Sequence, residues 1–190
     1  VRGEAFTTVP GGKGANQAAA AARLGATVEM VGCVGADAFG PALRENLRAQ
    51  GVGVSHVRVE EGAATGTAMI IVDGAGENSI VVAAGANGRV SAEDVAAARP
   101  LLEAARYLVV QWEIPLDVVA MRAAREVRLP VIVNAAPAHA AEEGLLEGAA
   151  YAVVNEHEAQ ALTGIAVPDA DSAERAGRAL LGMGVGAAIV

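Results

Sequence analysis

Short, uninterrupted apolar runs alternate with helix-forming stretches along this chain, and that alternation restricts its fold more than any other feature. Thr27–Val34, Tyr107–Gln111, Val131–Val133, Ala152–Val154 and Ala187–Val190 read as strands. Apolar runs of this length without polar alternation mark strands covered on both faces. The intervening stretches read as helices. In about 15–24, the run Ala18–Ala22 favours helix and Gly25 supplies a left-handed stop. Phe39–Gln50 is amphipathic, with Leu43 and Leu47 on one face and Arg44, Glu45 and Arg48 on the other, and Gly51 ends it. Ser91 with Asp94 starts a further helix as a variant capping box. Helices also fit Pro115–Val127 (Pro115 suiting the first turn), the vicinity of Glu142–Leu146, Glu156–Leu162 and Ser172–Gly182. Strands and helices in alternation specify an α/β fold, a doubly wound, mostly parallel sheet with helices on both faces.

Two stretches break the pattern. Ala5–Val9 reads as a short strand ending at Pro10. Val54–Ala83 contains no helix; Val57–Val59 alternates, and Thr67–Val72 and Asn78–Ala83 are β-rich runs joined by Asp73-Gly74-Ala75-Gly76, a hairpin signal. We expect a small antiparallel flap here, distinct from the main body. The chain has 190 residues, enough for one full core. Aromatics make up only 3%, so small and branched aliphatics must pack it.

Charge and composition exclude several functions. The net charge is -8 and the arginines are scattered singly, which argues against nucleic acid as a partner. No stretch approaches the roughly 18–20 apolar residues of a membrane span, and the first residues do not have the form of a signal peptide. A cytoplasmic protein with no membrane partner is the default expectation. Cys33 is the one cysteine, sits in an apolar run, and is expected to be a buried, inert thiol. His56, His139 and His157 lack ligand spacing, so zinc is not supported.

Lys13 is the only lysine among 14 basic residues, and it lies within Gly11-Gly12-Lys13-Gly14-Ala15-Asn16-Gln17. Lysine's compact ammonium and arginine's planar fork are not interchangeable where backbone closes around a ligand, and the glycines allow that approach. This is not a P-loop, because Gly14 follows the lysine and Thr7 stands where the first glycine belongs. It is not Gly-x-Gly-x-x-Gly either, since Gln17 follows Asn16. A tight loop, an ammonium, an Asn side chain and a helix start remain, suited to a small polar molecule; Asn both donates and accepts, as a sugar hydroxyl requires. In parallel α/β sheets ligands sit beyond the carboxyl ends of strands. Glu113, Asn134 and Asn155-Glu156 stand at three such ends. Asn155 with Glu158 fits a capping box, and fits equally a helix start beside phosphate or hydrated magnesium; both readings stay open.

These motifs resemble those of the ribokinase-like family of carbohydrate kinases. Gly11–Gln17 is followed by Gly32-x-x-Gly35-x-Asp37-x-x-Gly40, Gly85-Ala86-Asn87, Gln111-x-Glu113-x-Pro115, Asn134-x-Ala136-Pro137-Ala138, and Asn155-Glu156-x-Glu158 up to Leu162-Thr163-Gly164, in the family's order. Ala135 replaces the proline usual in its loop. Their joint order and spacing favour the ribose-directed members over fructose- and nucleoside-directed ones. The resemblance implies ATP-dependent phosphorylation of the D-ribose 5-hydroxyl. It assigns sugar contacts to Gly12, Lys13, Gly14, Ala15, Asn16 and Glu113. It puts nucleotide or phosphate contacts on Asn155, and magnesium, through water, on Glu158. ATP and Mg2+ are the implied cofactors, with a monovalent cation (K+) a further candidate. Residues 1–9 and 54–83 become a β-lid that closes over the sugar and pairs subunits in a homodimer; 10–53 and 84–190 become the kinase core.

The family's catalytic Asp belongs to a late Gly-x-Gly-Asp motif, and no such motif occurs here. Its first strand, with an Asn-x-Asp sugar contact, has no counterpart either. The chain therefore reads as an internal segment of a longer kinase, inactive alone. Two alternatives stand beside this reading: a kinase for another furanose or a nucleoside, and a non-catalytic sugar-binding protein on the same fold.

Overall fold

The computed structural model describes residues 5–115, 117–137 and 145–190, and the side chains of 117–119 lie outside that description. The first half builds a parallel pair wrapped by two helices. Helix α1 (Lys13–Arg23) leads to β1 (Val28–Gly35), then α2 (Phe39–Ala49) and β2 (Val52–Glu60). Gly25, at φ 92, takes the left-handed turn that the alanine-rich helix cannot. Strands β1 and β2 run parallel, from Val28 opposite Val52 to Gly35 opposite Glu60. Ala18, Val34, Leu47, Val52, Val54 and Val57 form the core between the helices and this pair.

A hairpin follows, β3 (Thr67–Val72) and β4 (Asn78–Ala83), paired antiparallel from Thr67 opposite Ala83 to Val72 opposite Asn78. The Asp73 carboxylate accepts the Ala75 and Glu77 amides and closes the turn. A 3-10 turn at Gly85–Arg89 then leads to α3 (Ala92–Ala97) and α4 (Arg99–Ala104). The Ser91–Asp94 capping box forms as expected. The helix it starts is broken at Ala98, and Pro100, without an amide proton, stands in the first turn of the second piece.

The second half is a four-stranded parallel sheet in the order β5 (Leu108–Gln111), β6 (Val131–Asn134), β7 (Tyr151–Val153) and β8 (Ala187–Ile189). Helices α5 (Asp117–Glu126), α6 (Glu156–Thr163) and α7 (Ala170–Gly182) connect these strands. Val131, Val133 and Ala152 pack with Ala124, Ala159, Ala176 and Leu180 in the larger core. Burying one aliphatic such as Leu180 contributes about 1.5–3 kcal/mol.

Three expectations need correction, and a fourth lies largely outside the described residues. Ala5–Val9 forms no strand and is exposed; Phe6 and Val9 have no neighbouring strand among the described residues, and β-propensity alone makes no ladder. The antiparallel flap begins at Thr67 rather than Val54, because 52–60 belongs to the parallel pair. Pro115 stands in the turn before α5, which begins at Asp117. The helix expected near Glu142–Leu146 falls largely outside the described residues, and 145–148 are a turn.

Candidate functional site

Register sets the site. Gln111, at the end of β5, lies opposite Asn134, at the end of β6, and Asn134 lies opposite Val153 in β7. Three parallel strands therefore end at one rim, which is where open α/β sheets bind ligands.

The Gly-rich loop meets this rim. Gly12 caps α1 at φ 99, a conformation that favours glycine. Lys13 is the first helical residue, and its Nζ donates to Glu113 Oε1 at 2.6 Å although 100 residues separate them. Both side chains stay partly exposed, so the pair is open to a ligand. One turn on, Gln17 lies within the same rim: its amide nitrogen donates to Asn134 Oδ1 at 2.9 Å. Gln111 Nε2 donates to Gln17 Oε1. Asn134 Nδ2 in turn donates to the Val153 carbonyl at 3.1 Å. An amide relay thus crosses the strand ends directly behind the Lys13–Glu113 pair.

The other expected residues have distinct surroundings. A Cβ on Gly14 would stand 2.8 Å from Gln111 Oε1 and 3.2 Å from Met30 Cε, so this glycine admits β5 and β1 against the helix. Ala15 packs on the core of the first half. Asn16 faces a shallow cleft between α1 and α2 with Pro10, Arg23 and Asn46, and makes no side-chain hydrogen bond to Lys13 or Glu113. Asn155 Oδ1 accepts the Glu158 amide at 2.8 Å, and Glu158 Oε2 accepts the Asn155 amide at 2.9 Å. The capping box is therefore formed, at a helix start beside the rim. Among the described residues no group of three or more His, Cys, Asp or Glu could hold a metal ion. Hydrated Mg2+ does not need such a cage, since it keeps most of its waters and uses one or two carboxylates; Glu158 could offer it Oε1, the oxygen that the cap does not use.

The second glycine motif builds a junction beside the site. Asp37 accepts the Phe39 and Gly40 amides, both at 3.1 Å, the Thr65 amide at 2.7 Å and the Thr65 hydroxyl at 2.6 Å. The Thr65 hydrogen bonds, side chain first and then backbone, hold the Asp37 carboxyl below the usual carboxylate range. A Cβ on Gly35 would lie 2.4 Å from the Ala63 carbonyl, and one on Gly40 would lie 2.0 Å from the Gly35 carbonyl. The stalks of the hairpin thus press on the end of β1. Cys33, Ala86 and Val90 form a small core here with Ala63 and Ile114, the residue after Glu113. Cys33 is buried, and burial raises its thiol pKa, as an inert cysteine requires.

Sequence reasoning left Gln17 and Thr65 without roles. Gln17 was detectable as the residue one turn after Lys13 on the same helix face. Thr65 carries no local signal, because its partners are about 30 positions away.

The pattern of the pfkB family carbohydrate kinases matches residues 1–190, and the chain belongs to that family. It is 43% identical to a ribokinase of Schizosaccharomyces pombe over 84% of this chain and 52% of that protein. It is 42% identical to a ribokinase of Bacillus subtilis, over 85% of this chain and 56% of that one. The chain spans a little over half the length of these curated relatives. Among solved structures, Arabidopsis thaliana ribokinase complexed with ribose and ATP superposes with a TM-score of 0.85 at 29% identity, covering 97% of this chain and 61% of that one. No helix among the described residues is long and apolar enough to cross a membrane.

Proposed function

We propose that the protein to which this chain belongs transfers the γ-phosphate of ATP in line to the 5-hydroxyl of D-ribose. The observation that carries this reading is the Lys13–Glu113 pair, a donor and an acceptor 2.6 Å apart at the mouth of a glycine-framed helix. A sugar hydroxyl inserted there accepts from the ammonium and donates to the carboxylate, and it replaces an exposed ion pair that itself contributes little. Gly12 lets the backbone approach, and the first turn of α1 presents its amides to the same ligand.

Asn155 and Glu158 stand on the phosphate side of this arrangement. Glu158 would hold hydrated magnesium through water, and the ion would neutralise charge on the nucleotide phosphates. A monovalent cation belongs to the same reading. No residue of these 190 is assigned as the base, so the segment alone binds sugar without turnover. The β3–β4 hairpin serves as a lid whose closure keeps water from competing as acceptor. Met69, Ile70, Ile71, Ile80, Val81 and Val82 are all more than half exposed. An apolar surface of that kind favours cover by a second copy, giving a homodimer. The acidic, scattered charge favours an enzyme with no nucleic-acid partner, and the buried free thiol of Cys33 suits a reducing, cytoplasmic setting.

The test is ADP release by the intact protein with D-ribose, 2-deoxy-D-ribose, D-fructose and adenosine. The expected outcome is the highest kcat/KM on D-ribose and none from residues 1–190 alone. Turnover by the segment refutes the assignment of the base elsewhere, and a preference for adenosine or fructose refutes the ribose reading.

A further inference from the structure

The amide relay has only one allowed polarity. Its last acceptor is the Val153 backbone carbonyl, which cannot donate. Asn134 must therefore turn its NH2 to Val153 and its oxygen to Gln17. Gln17 must give its NH2 to Asn134 and its oxygen to Gln111. Gln111 is left to present its NH2 to Gln17, so its own Oε1 is fixed on the opposite side of the amide. That oxygen lies beside Gly14, the residue after Lys13, 2.8 Å from where a Cβ on that glycine would stand. Among the described residues no donor reaches it. The relay is partly buried, where reversing an amide would set two oxygens or two NH2 groups against each other.

We infer that Gln111 is a specificity-determining residue, its carbonyl oxygen accepting one hydroxyl of the polyol held by Lys13 and Glu113. The inference rests on the sugar reading above and adds to it an oriented acceptor two residues before Glu113. Lys13, Glu113 and Gln111 then offer one donor and two acceptors, which recognises a ring by the placement of its hydroxyls. Gln17 and Asn134 touch no substrate in this reading; they are positioning residues that hold the acceptor in one orientation.

The experiment compares kcat/KM for D-ribose with that for its 2-deoxy and 3-deoxy analogues in the intact protein, wild type, Gln111→Met and Gln17→Met. Gln111→Met keeps the length of the side chain and removes the acceptor. The expected result is a loss of about tenfold on D-ribose, with one deoxy analogue little changed, so that the ratio between them collapses. Gln17→Met leaves Gln111 in place but frees its amide to turn, and the same ratio should fall part of the way. A ratio unchanged in either variant, or an equal loss on all three sugars, overturns the inference, because a structural role lowers every activity together. Should Gln111→Met fail to fold, the Gln17→Met ratio decides. A wild-type protein that phosphorylates none of these sugars while turning over another substrate refutes the sugar reading instead, and the inference with it.

Discussion

Thr65→Val isolates what holds the hairpin to the body of the protein. Thr65 is only 4% exposed. Its Oγ1 accepts the Gly35 amide at 3.0 Å and donates to Asp37 Oδ1 at 2.6 Å. Valine has the same outline, so packing changes little and the polar consequences remain. The Gly35 amide loses its acceptor at a buried position, which costs about 1–3 kcal/mol. The added methyl gives back on the order of 1 kcal/mol in apolar burial. Asp37 also loses one of its four donors, which costs about 1 kcal/mol more, so the net loss is about 1–3 kcal/mol, a Tm decrease of about 2–12 °C for a domain of this size. Thr65→Ser keeps both hydrogen bonds and should lie much nearer wild type. Urea unfolding followed by circular dichroism measures both variants, and hydrogen exchange at the Gly35 amide reports the local opening. Valine as stable as threonine, or serine as damaging as valine, would refute the reasoning.

Lys13→Met should raise the KM for D-ribose by tenfold or more, on the order of a lost charged hydrogen bond, while the KM for ATP stays nearly constant. The pair it breaks is a partly exposed one, worth about 0–1 kcal/mol, so thermal melts should barely move; an unaltered ribose KM removes Lys13 from the site. Asp94 is held below its ordinary pKa, first by hydrogen bonding to Arg58 and then, against the opposing effect of burial, by the Ser91 amide. A depressed folded-state pKa stabilises above the unfolded value near 4 and loses that contribution as pH falls through the folded value. Asp94→Asn should therefore melt lower at pH 7 and show a shallower decline in acid; melting curves that stay parallel down to pH 2 would contradict this.

Much of the fold was legible because its signals are local. A continuous apolar run such as Val131–Val133 needs cover on both faces wherever it lies, and Gly25 and Gly51 end helices by their own backbone geometry. Parallel pairing is less visible. Val57–Val59 alternates like a half-exposed antiparallel strand, yet β2 runs parallel to β1 because its pairing is decided by β1 and not by its own sequence. Ala5–Val9 fails for the converse reason: its residues favour extension, but a ladder needs a neighbour.

The site divides along the same line. Lys13 was legible from scarcity and its glycine frame, and Glu113 from its place after a strand; the 2.6 Å contact between them follows once both sit at one rim. Gly14 was expected at the ligand for its backbone, but it also makes room for Gln111. Asn155 and Glu158 can both cap their helix and serve a ligand, because the cap uses Asn155 Oδ1 and Glu158 Oε2 and does not use Asn155 Nδ2 or Glu158 Oε1. The Gly35–Gly40 motif is also glycine-framed, yet its glycines admit other backbone, and its aspartate binds Thr65. What separates the two glycine motifs is the charge each leaves available. Asp37 spends its carboxylate on four internal donors, whereas Lys13 has a single partner that a hydroxyl can displace.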